Sequence, residues 1–190
     1  MSNETFELFF AMLSVATLVG TLVILVARIA YRRAAWAHAT IDAFRPLARP
    51  LAAAITTTCL LGSLYFSEVV GYIPCRLCWY QRAAMYPLAL LLIWFTVRRT
   101  ERIAFVVVPI AAIGAAISAY HWLFERLPSL DAGACSVDVP CDFVWFELFG
   151  FVTLPFMAFT GFVAAIVFTT LPTVDKSDSN SSREQTGVSA

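Results

Sequence analysis

The chain has 190 residues, 60% of them hydrophobic, with zero formal net charge and five cysteines. That length fits one domain, and the apolar share lies far above that of a soluble globular domain. A balanced charge leaves no general attraction to nucleic acid, so the composition points to a polytopic helical membrane protein.

Leu8 to Ala27 carries no charge. At about 20 residues and roughly 30 Å as helix it is long enough to cross the hydrocarbon. Ala27-Arg28-Ile29-Ala30 faintly resembles a cleavage site, but Glu4 and Glu7 precede the run where a cleaved signal would carry basic residues. The run is therefore expected to be a retained helix. Tyr31 to Pro50 reads as a polar connector with Arg32, Arg33, Arg45 and Arg49, broken by Pro46 and Pro50. Leu51 to Ile73 is a second apolar run, interrupted by Glu68.

The segment Pro74-Cys75-Arg76-Leu77-Cys78-Trp79-Tyr80-Gln81-Arg82 follows. C-x-x-C spacing lets two sulfurs meet over one helical turn, so a disulfide can form and break with little backbone movement. A helix opened by Cys78 would set unpaired N–H groups and the positive end of its dipole beside that sulfur. Arg76 and Arg82 add positive charge, which also favours thiolate. A structural disulfide and half of a zinc site remain open readings of the same spacing.

Ala83 to Val97, lengthened by Trp79 and Tyr80, is the third run, and Pro87 is placed to kink it. Arg98-Arg99-Thr100-Glu101-Arg102 is a basic turn, and Ile103 to Phe124 is the fourth run. Glu125 to Glu147 is a polar loop holding Cys135 and Cys141, with Pro128, Gly133 and Pro140. Leu148 to Leu171 is the fifth run and contains Pro155. The tail from Thr173, rich in Ser, Asp and Asn, reads as disordered.

Five spans alternate sides, and arginines choose which. The connector after span one and the turn after span three share a side and are basic, whereas the cysteine loop has Arg126 against Glu125, Asp131, Asp138, Asp142 and Glu147. The positive-inside rule puts the basic loops and the tail in the cytoplasm and both cysteine pairs outside. Outside is also where disulfides persist. Cys59, inside an apolar run, reads as a small buried hydrophobe.

Two pairs on one face can pass a disulfide between them. Cys135 and Cys141 sit in a loop able to meet a soluble partner, and Cys75 and Cys78 lie where a lipid-soluble acceptor has access. An inert Cys135–Cys141 disulfide is one alternative. A four-cysteine zinc site is another, though C-x5-C is a poor second half for it. Arg82, one turn into a membrane helix, either snorkels to the headgroups or hydrogen-bonds a quinone oxygen. His121, between Tyr120 and Trp122, is either part of an interfacial aromatic belt or a second polar contact for a quinone. Gln81 and Glu68 read as interfacial, and Trp145, Phe146 and Phe149 suggest that the end of the cysteine loop follows the membrane surface.

Leu61-Gly62-Ser63-Leu64-Tyr65-Phe66-Ser67-Glu68, Pro74 through Arg82, and Met85-Tyr86-Pro87-Leu88 resemble segments of the disulfide bond formation protein B family (DsbB), nearest its Gram-positive branch, BdbC. Ser118-Ala119-Tyr120-His121 and Phe149 through Phe156 resemble further family segments, so the likeness runs from about Leu51 to Leu171. The resemblance implies an all-α membrane bundle with a four-helix core. It implies reoxidation of a soluble thioredoxin-fold, DsbA-like thiol oxidase, with electrons passed to a membrane quinone, menaquinone or ubiquinone. By the same resemblance Cys135 takes the partner's attack and Cys141 exchanges with Cys75. Cys78 then faces the quinone beside Arg82, with His121 near it.

The resemblance divides the chain into an extra N-terminal helix and connector over 1–50, a redox domain over 51–172 and a tail over 173–190. The first of these is not part of the family pattern, and the loop pair is spaced more closely than in the Gram-negative branch. A vitamin K epoxide reductase-like protein is the runner-up enzyme, but there the loop pair precedes the C-x-x-C. A membrane scaffold with structural disulfides is the non-enzymatic alternative, and it gives Arg82 no role.

Overall fold

A computed structural model describes residues 3–98, 103–127, 135 and 140–171. These residues form α1 (Asn3–Ala30), α2 (Ala35–Phe44), α3 (Ala48–Leu64), α4 (Arg76–Arg98), α5 (Ile103–Arg126) and α6 (Leu154–Thr169). A 3₁₀ turn, Arg45–Leu47, joins α2 to α3, and a π turn, Tyr65–Val69, extends α3. The protein is an all-α membrane helical bundle. Helices α3 to α6 pack each on the next, and α6 returns to α3 to close a four-helix ring. The additional helix α1 lies against α6 and is met by α2.

Close helix contact in this ring depends on small residues, since between helices in lipid packing replaces the hydrophobic drive. On α5 the buried side chains Val107, Ala111, Gly114, Ser118 and His121 recur every three or four residues, one stripe of a helix. Gly114 lies under the ring of Phe162, which is fully buried on α6. A Cβ at Gly161 would fall 2.6 Å from the Cys59 sulfur, so α3 and α6 also meet without room for one.

The connector expected over Tyr31–Pro50 is mostly helical. Ala35, Ala37 and Ala39 favour helix. Both prolines sit where helix begins, Pro46 at the start of the 3₁₀ turn and Pro50 in the first turn of α3, so neither breaks one. α2 buries Ala37 and Ile41 against the same apolar cluster as Ile24 and Ala27 of α1.

The expected fifth run starts later, at Leu154. Phe149 and Gly150 both take positive φ, 57° and 74°, and Leu148 pairs with Val152 in a tight turn. Thr153 then precedes α6 with Pro155 in its first turn. The Thr153 hydroxyl donates to Glu125 at 2.6 Å, fastening the start of α6 to the end of α5. Among the described residues, three helices rather than five are long and apolar enough to span by themselves: Asn3–Ala30, Ala35–Val69 and Ile103–Arg126. α6 has 16 residues, and α4 carries Arg82 within its length. The tail expected to be disordered, the turn 99–102 and most of the loop between Pro128 and Val139 lie outside the described residues.

Arg32, Arg33, Arg45 and Arg49 follow the C-terminal end of α1 and precede or open α3, while Cys75, Cys78, Cys135 and Cys141 gather at the opposite end of the ring. That end is where the chemistry sits.

Candidate active site

Helix α4 begins at Arg76, so its first-turn amides point at residue 75. The Cys75 carbonyl accepts the Trp79 N–H at 3.1 Å, and the Cys75 sulfur accepts the Cys78 backbone N–H at 3.3 Å. Cys75 thus caps the helix through its own sulfur, the place ordinarily taken by a Ser or Asp oxygen. The expectation that the amides serve Cys78 is corrected here, because the helix opens at the first cysteine of the motif and not at the second.

Cys75 and Cys78 are free thiols with sulfurs 2.9 Å apart. His121, buried at the end of the α5 stripe, has Nε2 3.7 Å from the Cys75 sulfur and 3.1 Å from the Cys141 carbonyl. Its Nδ1 lies 2.8 Å from Gln81 Nε2, which can only donate. That bond leaves the ring proton on Nε2, aimed at the Cys141 carbonyl and at Cys75. The Cys78 thiol, first, and then His121 stabilise charge on the Cys75 sulfur, and its pKa is held down to about 4 despite burial. Gln81, read from sequence as interfacial, is buried and orients the histidine. Its place four residues after Leu77 and four before Met85, both buried, is the signal that could have found it.

The thiols and His121 offer three ligand atoms within 4.8 Å of one another. A zinc ion there would need a bare Nε2, which the Gln81 bond opposes, and Cys135 and Cys141 are bonded to each other rather than free.

The Cys135–Cys141 disulfide lies on the same apolar cluster as Cys75, with Leu77, Phe124 and Tyr120 around it. A cavity of about 230 Å³ has Cys75, Cys78 and His121 on one side and Pro140, Cys141 and Phe143 on the other. The loop is held over α5 by Arg126, which pairs with Glu147 at 3.1 Å and lies over Trp122. The Trp122 indole N–H also donates to the Phe151 carbonyl. Trp145 stacks on Tyr72 at 4.5 Å, so the loop's aromatic end packs onto the segment leading to Cys75, while Phe149 is exposed.

Cys78 also borders a second, larger cavity of about 280 Å³ between α1, α3, α4 and α6. Arg82 lines it and is buried, with Nε donating to Ser63 Oγ at 2.9 Å and Nη2 to the Ser63 carbonyl at 2.7 Å. Arg82 therefore does not snorkel. Two of its five N–H donors are spent on Ser63, and the group stands 5.3 Å over Trp79. One turn deeper the Tyr86 hydroxyl is buried beside the cavity with no hydrogen-bond partner among the described residues. Cys59, half-buried, lines the same cavity away from the other thiols. The six sequence candidates thus fall into one connected site, in which Ser63 and Gln81 are the additions.

The model of the family described as "Disulfide bond formation protein DsbB" matches residues 45–172. The chain belongs to that family. "Disulfide bond formation protein C" of Bacillus subtilis is 44% identical over 120 residues, 63% of this chain and 87% of the relative. "Probable disulfide formation protein C 1" of Bacillus anthracis is 48% identical over 108 residues, 56% of this chain and 78% of the relative. "Probable disulfide formation protein C" of Halalkalibacterium halodurans is 46% identical over 111 residues, 58% and 81% respectively. No solved structure matches. DsbB membership makes the chain a membrane thiol–disulfide oxidoreductase, and α1, α2 and their junction precede the matched region.

Proposed function

We propose that this protein reoxidises a DsbA-like, thioredoxin-fold thiol oxidase and delivers the electrons to a membrane quinone, menaquinone or ubiquinone. The observation that carries the reading is the position of the C-x-x-C pair between two cavities. One cavity is shared with Cys141, and the other is bordered by Cys78 and Arg82.

In this reading the partner's thiolate attacks Cys135, Cys141 leaves, and the partner's second thiol closes its own disulfide. The loop pair is then a dithiol. Cys141 thiolate attacks the Cys75 sulfur of a Cys75–Cys78 disulfide, and Cys78 leaves as thiolate. Cys135 next attacks Cys141, restoring the loop disulfide and expelling Cys75. A sulfur with a low pKa is the better leaving group, which gives the hydrogen bonds on Cys75 a purpose. Each exchange moves two electrons and leaves the count of disulfides unchanged.

A quinone would supply the acceptor for two electrons and two protons. The residues fit such a group: the second cavity is largely apolar, Arg82 and Ser63 are among its polar lining residues, and the unpartnered Tyr86 hydroxyl is buried beside it. Arg82 would hold a ring oxygen next to Cys78, and Ser63 would hold Arg82. The same reading places both cysteine pairs outside the cell membrane and the basic loops and tail in the cytoplasm. It keeps 51–172 as the redox domain, with 1–50 as an addition and 173–190 as a tail.

The test is quinone reduction by the purified protein with a reduced thioredoxin-fold partner as donor. Wild type is expected to turn over, and Cys78→Ser and Cys135→Ser to stop. A wild type inert toward several quinones and partners, with cysteines that resist reduction, would instead make the chain a scaffold with structural disulfides.

A further inference from the structure

Helix α1 lies before the region that the family shares, yet it is a wall of the larger cavity. Phe10, Leu13, Ser14 and Thr17 line it, facing α3 and α6. The cavity is long. On α3 and the π turn that extends it, the lining runs from Ala54 to Ser67, about 20 Å along the axis at the helical rise. Cys78, Arg82 and Ser63 mark the end near the loop, whereas Thr17, Ala54 and Thr58 mark the other.

α1 is fixed in place along this length. Glu7 accepts the Tyr72 hydroxyl at 2.5 Å, and Tyr72 in turn stacks on Trp145. Phe10 packs on Phe66 and over Gly62, where a Cβ would come 2.9 Å from its ring. Ser14 meets Thr160 of α6 at 3.0 Å, and Arg28 reaches Thr170 at 2.8 Å. Without α1 the small residues Gly62, Ala158 and Gly161 would leave a groove between α3 and α6 open along one side.

We propose that α1 converts this groove into a channel for the apolar tail of the quinone and so sets the preference for tailed over tailless acceptors. The proposal rests on the quinone reading above. The head would occupy the end at Arg82 and Cys78, and the tail would run between α1 and α3 past Leu13, Thr17 and Ile55, in a cavity whose lining as a whole is largely apolar.

The experiment compares wild type with Thr17→Phe and Leu13→Phe in the full chain. Two probes are used: decylubiquinone and the same dimethoxy-methyl-benzoquinone without a tail. Binding is followed by quenching of intrinsic tryptophan fluorescence, with Trp145 on the cavity wall, and quinone reduction is measured alongside. Filling the channel is expected to raise the Kd for decylubiquinone at least about tenfold. The tailless Kd should move less than about twofold, which also reports an intact fold. Wild-type binding of decylubiquinone that neither variant alters overturns the proposal and leaves the quinone reading standing. A loss of both probes in step in both variants also overturns it. A wild type that binds neither probe overturns both readings.

Discussion

The charge on Cys75 can be tested directly, because the structure names the atoms that stabilise it. Its sulfur accepts from the Cys78 thiol at 2.9 Å, from the Cys78 backbone N–H at 3.3 Å and, at 3.7 Å, from His121. A hydrogen bond to a charged group contributes about 1.5–3 kcal/mol. At about 1.36 kcal/mol per pKa unit, that is one to two units. Starting from about 4, Cys78→Ala should therefore lift Cys75 to roughly 5–6. The backbone bond survives the substitution, so a full return to the ordinary value of 9.0 is not expected. His121→Ala removes a longer contact and should shift the pKa by no more than about one unit. The assay is thiolate absorbance against pH in a Cys59→Ser, Cys135→Ser, Cys141→Ser background under reductant. Adding Cys75→Ser should abolish the low-pH step. A step that survives Cys75→Ser and vanishes in Cys78→Ala would refute the assignment of the thiolate to Cys75. The linkage has a definite sign. A depressed acid pKa adds stability that is complete above 9.0 and is lost as pH falls toward about 4, so Cys75→Ser should flatten stability over that window.

Three further outcomes follow from packing and hydrogen bonding. Ser63→Ala removes one of two bonds holding Arg82, and quinone KM should rise about tenfold while KM for the thiol partner stays put; steady-state kinetics in each substrate separates the two. Gln81→Leu deprives His121 Nδ1 of its donor, so imidazole NMR should show loss of the single Nε2–H tautomer and slower loop-to-C-x-x-C exchange; an unchanged tautomer would show that Gln81 does not orient the ring. Gly114→Ala forces a methyl into the Phe162 ring, with an expected cost of about 1–3 kcal/mol, read as a lower Tm in detergent, whereas Gly20→Ala, with open space around it, should be nearly silent.

The helical class and the membrane setting were legible in the sequence because each depends on local chemistry, and the candidate residues named from it are ones that the structure brings together. Apolar runs longer than about 18 residues have few fates other than a membrane span, and C-x-x-C with a following arginine carries its reactivity in its spacing. The buried role of Gln81 was legible too, through its register with Leu77 and Met85, but a polar residue near a helix end invites the interfacial reading until the neighbouring helix is in place. Some features had no local signal. Whether Tyr31–Pro50 is connector or helix turned on which turn each proline occupies. Which cysteine receives the helix amides turned on a start one residue after Cys75. Ser63 binds Arg82 across 19 residues and Ser14 meets Thr160 across 146, distances that no window along the chain can span. The sequence by itself determined what the protein is made to exchange. The tertiary structure alone decided that His121 links the two cysteine pairs and that α1 forms a wall of the cavity bordered by Cys78, because both depend on side chains from separate helices being brought to one end of a closed ring.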